Sequence, residues 1–236
     1  MNTNDNGGLR ERKKTATREA LSTAALNLAL EHGPQNVRVD DIAEAAGVSP
    51  RTYNNYFSSR EQAIVTAVAA ERALRLSAAL RARPADEPLA DAVIETVVAQ
   101  YGADGLPAGD LLRLITSTPG LQAEYVGTVA AIEQPLASAI AARTADSDSG
   151  SGGSGKGTGT GTGTGENNDF AAAVLAAAVS AAVRVAVERW LRPMQEAQRA
   201  ATTPSGLVVP NGVLTDLLRE ALGHLTPTLQ AADPRS

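Results

Sequence analysis

Along the first third of the chain, apolar residues return at intervals of three and four, the spacing that lines one face of an α-helix. Leu21, Ala24, Ala25, Leu28 and Ala29 make such a stripe in a segment from about Thr15 to His32, and Gly33-Pro34 stops it. A shorter segment puts Val39, Ile42, Ala43 and Ala46 on one face. Asp40 and Asp41 stand in its first turn, where carboxylates meet the positive end of the helix dipole. Gly47 breaks this second helix, and Val48 packs back. Ser49-Pro50 opens a third, since Ser is a strong N-cap and Pro is preferred at the first helical position. The third helix ends near Phe57. Ser58 or Ser59 caps a fourth, from about Arg60 to Arg83, with Ile64, Ala67, Val68 and Leu74 facing inward.

Pro84 and Pro88 bracket a break. Helices are expected from about Leu89 to Tyr101, from Pro107 to Ser117, and from Pro119 to about Arg143 with a bend at Pro135. Residues 146–168 (DSDSGSGGSGKGTGTGTGTGENN) are low-complexity Gly, Ser and Thr with nothing to bury, which reads as a flexible linker. A tether of that length spans about 25 Å on average and can join helix ends without strain. A long Ala/Val helix from Asp169 to about Ala201 and a last helix from about Asn211 to Leu225 follow. These two are too few to stand alone and should dock on the preceding helices.

Composition sharpens this picture. Of 236 residues 43% are apolar, mostly Ala, Leu and Val, and Ala favours helix over strand, so the fold class is all-α. Cysteine is absent, which excludes disulfides, thiolate metal sites and cysteine nucleophiles. The polar start MNTNDNGG does not read as a signal peptide. The apolar run Phe170–Val187 carries Arg184, costly at mid-membrane, so a buried helix is expected and the protein is placed in the cytoplasm, with no membrane partner. The net charge of −5 divides unevenly. Residues 1–60 hold eight Lys/Arg and seven Asp/Glu, a balance of +1, and residues 61–236 carry −6. From Leu9 to Arg18 there are five basic residues and one acidic. Such a chain meets an anion with one end only.

Two short helices joined at Gly47, the second capped by Ser49, form a helix-turn-helix pattern. In that unit the second helix enters the DNA major groove. Tyr53 and Phe57 are four apart and share the face that can pack on Ile42, Ala46 and Val48. Arg51, Thr52 and Asn55 project from the other side, and their groups suit base edges: a donor fork for guanine, a methyl and hydroxyl, an amide for adenine. Tyr56 falls between the faces, where a phenol reaches a phosphate oxygen, and Arg60 can do likewise.

At these residues the segment Thr15 to about Val68 resembles the DNA-binding domain of TetR-type transcriptional regulators. The resemblance rests on LSTAALNLALEHGPQNVRVDDIAEAAGVSPRTYNNYFSSREQAI: a first helix ending in Gly, a Val-x-x-Ile-Ala helix, Ala-Gly-Val-Ser, and a recognition helix ending Tyr-Phe. It implies a three-helix DNA-binding bundle followed by a larger helical ligand-binding and dimerisation domain. The expected division is a disordered basic arm at 1–14, the helix-turn-helix domain at 15–60, and the effector and dimer domain at 61–230 with the 146–168 linker inside it. The resemblance further implies a repressor that pairs through its last two long helices and binds a small effector. Its base contacts fall on Arg51, Thr52 and Asn55, and its phosphate contacts on Thr17, Ser49, Tyr56 and Arg60. The usual Thr at the cap of helix two is Arg38 here; a basic residue there can still meet a phosphate. Tyr53 stands where Leu or Phe is more usual, and Asn54 where an aromatic often touches the backbone.

Effector contacts are not legible. Tyr101, Arg113, Tyr125 and Trp190 are the side chains able to orient a ligand among aliphatic walls. His32 and His224 sit at helix ends and suit the dipole better than a metal. Enzymatic chemistry finds no support: Gly150-SGGSGK-Gly157 nearly fits a phosphate loop, but Gly157 replaces the magnesium-binding hydroxyl and no strand precedes it. No cofactor is implied. The rival reading is an all-α scaffold without DNA binding, which leaves the basic lead-in and the polar third helix unexplained.

Overall fold

A computed structural model describes residues 4–101, 118–149, 163–200, 213–233 and 235, which form helices joined by short turns and loops, with no strand among the described residues. The expected helix at 107–117, with Arg113, and the Gly150–Gly157 motif lie outside the described residues. By its contacts the chain divides into two compact units, one of residues 1–69 with 109–128, the other of 70–108 with 129–236.

In the first unit, α1 (Asn4–His32) packs on α2 (Val39–Ala45), and α2 on α3 (Pro50–Asn54). Helix α1 starts well before the expected Thr15. The apolar stripe marks only the buried part of a helix, whereas Leu, Arg, Glu, Lys and Ala ahead of it are strong helix formers in their own right. Thr17 Oγ1 also donates to Lys13 O at 2.9 Å inside those early turns. Leu21, Ala25 and Ala29 are fully buried, while Ala24 and Leu28 are half-buried.

The α1 chain reverses at Gly33 (φ 80°) and the α2 chain at Gly47 (φ 68°), the left-handed conformation that Cβ disfavours. At Gly47 the closing bonds are Gly47 N to Glu44 O at 3.0 Å and Val48 N to Ala43 O at 2.9 Å. This paired pattern satisfies the last free carbonyls of α2 and turns the chain toward α3. Helix α4 (Arg60–Ala82) is capped by Ser59, whose Oγ accepts Gln62 N at 3.0 Å. The boundary between the units falls inside this helix. Leu74, expected inward, is 72% exposed, and Ala73, Leu76 and Leu80 are buried instead. Leu74 lies roughly opposite the line from Val65 through Ala69, Leu76 and Leu80.

In the second unit α5 (Leu89–Tyr101) is buried along most of its length, and α9 (Leu214–Gly223) and α10 (Thr226–Ala231) pack against it. Helix α6 (Pro119–Thr128) belongs to the first unit; α7 (Glu133–Ser149) pairs with the long α8 (Gly163–Ala200). The expected bend at Pro135 is a break instead. A 3-10 turn, Val129–Ile132, separates α6 from α7. Pro135 falls in the first turn of α7, where its missing N–H costs nothing and its ring would clash with a continuous helix at Ala131. The flanking helices also run into the Gly/Ser/Thr segment, to Ser149 on one side and from Gly163 on the other. The chain end adds α10 beyond the expected last helix.

Helix α8 is covered unevenly within this chain. Ala172, Leu175, Ala176, Val179, Val183, Val187 and Leu191 are buried, yet Phe170, Val174 and Val185 are 73, 51 and 53% exposed. The helix is apolar nearly all round but covered on one side within this chain. Its stretch Asn167–Pro193 is long and apolar enough to cross a membrane, a test that core helices of soluble proteins also pass.

The N-terminus of α5 is held by the chain end. Asp233, 7% exposed, accepts Leu89 N on Oδ2 at 2.8 Å, and Arg235 donates to Asp233, to Glu87 O and to Ala85 O. Burial opposes ionisation of Asp233, but the bonds from Arg235 and Leu89 outweigh it and hold the carboxyl below its usual range. Arg143 of α7 reaches the same loop, donating to Pro84 O at 2.5 Å and Glu87 O at 2.7 Å.

Candidate nucleic-acid interface

Helix α3 is five residues long, so its orientation is set by what lies beneath and at its ends. Ser49 caps it: Oγ accepts Thr52 N at 3.1 Å and lies 2.9 Å from Thr52 Oγ1. Beneath, Tyr53 and Phe57 are 1 and 2% exposed, with ring centroids 5.8 Å apart. Burying two aromatics offsets the weak intrinsic stability of so short a helix. The Tyr53 hydroxyl donates to Ser59 O at 2.8 Å and ties α3 to the start of α4. Burial, with the Glu61 carboxylate, pushes that phenol up to about 12. After Asn54 the turn continues, with Tyr56 N and Phe57 N both bonded to Tyr53 O at 2.8 and 3.1 Å.

The opposite side is polar and open. Arg51 and Asn55 are exposed and four apart, on one face; Thr52 is half-buried beside its cap, and Tyr56 is half-buried at the flank. Ser49 is exposed. Arg38 is exposed at the N-cap of α2, where its side chain makes no capping bond, so α2 starts without the hydroxyl cap that Thr would supply. Thr17 is half-buried on α1. Arg60 is drawn inward: Nη1 donates to Val37 O at 2.8 Å and Gln35 O at 3.2 Å, and Nε pairs with Glu61 at 2.9 Å. Its guanidinium thus closes the turn after α1, and a phosphate would share it with two carbonyls.

One positioning residue escapes sequence reasoning. Arg18 Nη1 donates to Tyr56 O at 3.0 Å, and its guanidinium lies 4.6 Å from the centre of the Phe57 ring. It clamps α1 to the end of α3. Its sequence signal is only membership of the basic lead-in, which points outward to solvent as readily as inward.

A capped short helix on a buried aromatic base, reached through a Gly turn, can present two or three side chains rigidly to a groove. Residues 21–65 match the profile of bacterial regulatory proteins, tetR family. Over 145 residues the chain is 39% identical to the HTH-type transcriptional regulator TcmR of Streptomyces glaucescens, a match covering 58% of this chain and 64% of that protein. Over residues 21–65 the chain is similar to the tetR family of bacterial regulatory proteins. It spans under two thirds of the TcmR length. Among solved structures it is similar to a TetR-family regulator from Syntrophomonas wolfei, 16% identical, with 92% of this chain and 96% of that one covered and a TM-score of 0.43. Another, from Streptomyces coelicolor, is 22% identical, with 92 and 94% covered and a TM-score of 0.34. The profile begins at Leu21, inside α1, and ends inside α4, so it takes in the whole α2–α3 unit but not the basic turns of α1.

Of the side chains suggested for an effector, Tyr101, Tyr125 and Trp190 are 8, 4 and 4% exposed. Arg72, itself buried, lies 4.3 Å over the Tyr101 ring. Among the described residues no group of three or more His, Asp or Glu gathers as a metal site would.

Proposed function

We propose that this chain is a TetR-type, sequence-specific transcriptional regulator, a repressor that holds an inverted-repeat operator as a homodimer and leaves it when a small effector binds. One observation carries the DNA-binding part: Tyr53 and Phe57 are sealed beneath α3 while Arg51 and Asn55 stand exposed above it. A helix serving only as packing would not expose an arginine and an amide on one short face over so firm a base. In this reading Arg51, Thr52 and Asn55 meet base edges, and Thr17, Arg38, Ser49 and Tyr56 meet phosphates.

The dimer is argued from α8. Phe170, Val174, Ala177, Ala181 and Val185 form one exposed apolar stripe. On α9, Leu214, Leu217 and Ala221 are only half-covered, as is Leu225 just after it. Contiguous apolar surface of this kind marks an interface with another chain, and a second copy is self-complementary across a two-fold axis. Release is a population shift: an effector that binds better when the two recognition helices are mis-spaced lowers operator occupancy. Helix α4, shared by both units, is the lever in this scheme.

The test is a duplex selected from a random pool by the full-length protein, then varied one base pair at a time. Arg51→Ala should lose about 1–3 kcal/mol and relax the choice at one position per half-site, while Tyr56→Phe should weaken every duplex evenly. Equal losses across the panel for Arg51→Ala would refute the base-reading role.

A further inference from the structure

The first turns of α1 precede the family-like residues and carry an unassigned charged face. Helix α1 starts at Asn4, and the family profile at residue 21. Arg10, Arg12, Lys13, Lys14 and Arg18 are all exposed. At 3.6 residues per turn, Arg10, Lys13, Lys14 and Thr17 fall within a sector of about 100°, on the line that continues into Leu21. Leu21 is 0% exposed. The face that packs into the domain at Leu21 is therefore the face that bears the cations about two to three turns earlier. Arg12 points roughly the opposite way.

Two contacts fix where that face emerges. Arg18, one turn after Lys14, holds Tyr56 O at 3.0 Å and covers the Phe57 ring. Helix α1 thus passes directly beside the end of α3. At 1.5 Å per residue, Arg10 stands about 12 Å further along the axis than Arg18. The nearest acid is Glu11, 3.9 Å from Lys14 with both side chains mostly exposed, a pair of the weak class that leaves the lysine free to exchange partners. Glu19, the other described acid in these turns, lies roughly opposite Arg10.

We propose that Arg10, Lys13 and Lys14 form a second, sequence-independent strip on the backbone phosphates of the duplex that α3 reads, flanking each half-site. The proposal rests on the DNA-binding reading above and adds to it a contact outside the helix-turn-helix. Ammonium and guanidinium heads in a row, continuous with that interface, fit a polyanion with regularly spaced charges. Because the strip is helical, its contribution depends on which face a cation occupies, and a floppy arm would show no such dependence.

The test is the salt dependence of binding to the selected duplex and to an unrelated one, with full-length protein. Each phosphate contact steepens the slope of log K against log salt by about 0.9. The triple variant R10A/K13A/K14A should flatten the slope by about 2–3 per protomer on both duplexes, keep the base preference, and keep its helical circular dichroism, since Ala is the strongest helix former. Arg12→Ala should leave the slope within about 0.3. An unchanged slope in the triple variant, with binding intact, overturns the proposal, as does an Arg12→Ala effect equal to that of Lys13→Ala. If wild-type protein shows no salt-dependent binding to any selected duplex, the DNA-binding reading falls and the strip with it.

Discussion

Tyr53 fills the base of α3, as a Leu or Phe could, and also does what neither would: it donates to Ser59 O. Tyr53→Phe should cost about 1 kcal/mol in denaturant unfolding, the worth of one net hydrogen bond, with little change in packing. Its raised pKa gives the sign of an alkaline effect. The folded protein holds the phenolic proton up to about 12 while the unfolded chain loses it from about 10, so stability is full below pH 10 and falls as pH climbs toward 12. In Tyr53→Phe that alkaline fall should be shallower, and unfolding midpoints between pH 9 and about 11.5 would show it. The aromatic pair beneath α3 was legible in the sequence because four-residue spacing puts two rings on one face. The fates of Arg18 and Arg60 were not. A long side chain reaches a carbonyl 38 or 23 residues away through backbone reversals that periodicity does not encode. Leu74 misled for a related reason: an apolar residue near the right period still points outward when the line it belongs to lies across the helix.

Among the elements, the Gly47 turn is the clearest case of sequence dictating geometry. No atom lies within 4 Å of where a Cβ would sit, so Gly47→Ala meets no clash and its cost is conformational only, about 1–2 kcal/mol for a left-handed residue. Gly47→Asn should lose less, because a short amide tolerates that region; paired unfolding curves would rank the two. The α5 N-terminus depends on a residue 144 positions away. Asp233→Ala removes the acceptor of Leu89 N and the partner of Arg235, and should cost about 1–3 kcal/mol. Since the folded carboxyl lies below its usual range, this contribution is present at neutral pH and fades as pH falls through the acid range. Comparing wild type with Asp233→Ala at pH 7 and at about pH 3 would check it: the gap between them should shrink. Nothing in the sequence announces this cap, because it is a tertiary contact made by a tail that reads as loop. The start of α1 at Asn4 was missed for the opposite reason, since an exposed basic helix shows no apolar period.

For the whole molecule, the helical class and the order of helices followed from Ala content and apolar spacing, while the half-covered α8 did not. An all-round apolar helix signals burial without saying by which chain. Phe170, Val174 and Val185 mark the side that this chain leaves open. Val174→Asp with Val185→Asp should shift the protein to monomer in sedimentation or light scattering, and lower operator affinity by far more than tenfold, because two linked half-sites become two separate ones. Charge agrees with the proposed reading: residues 1–60 carry +1 and the remainder −6, so a polyanion would be met from the N-terminal portion. The most direct test of the account is a hydroxyl-radical footprint, with stoichiometry, on the selected duplex. Two protected half-sites about 34–36 Å apart on the helix axis, filled by two protomers, are what paired recognition helices predict. Protection of a single half-site by one protomer, or none at low salt, would contradict it.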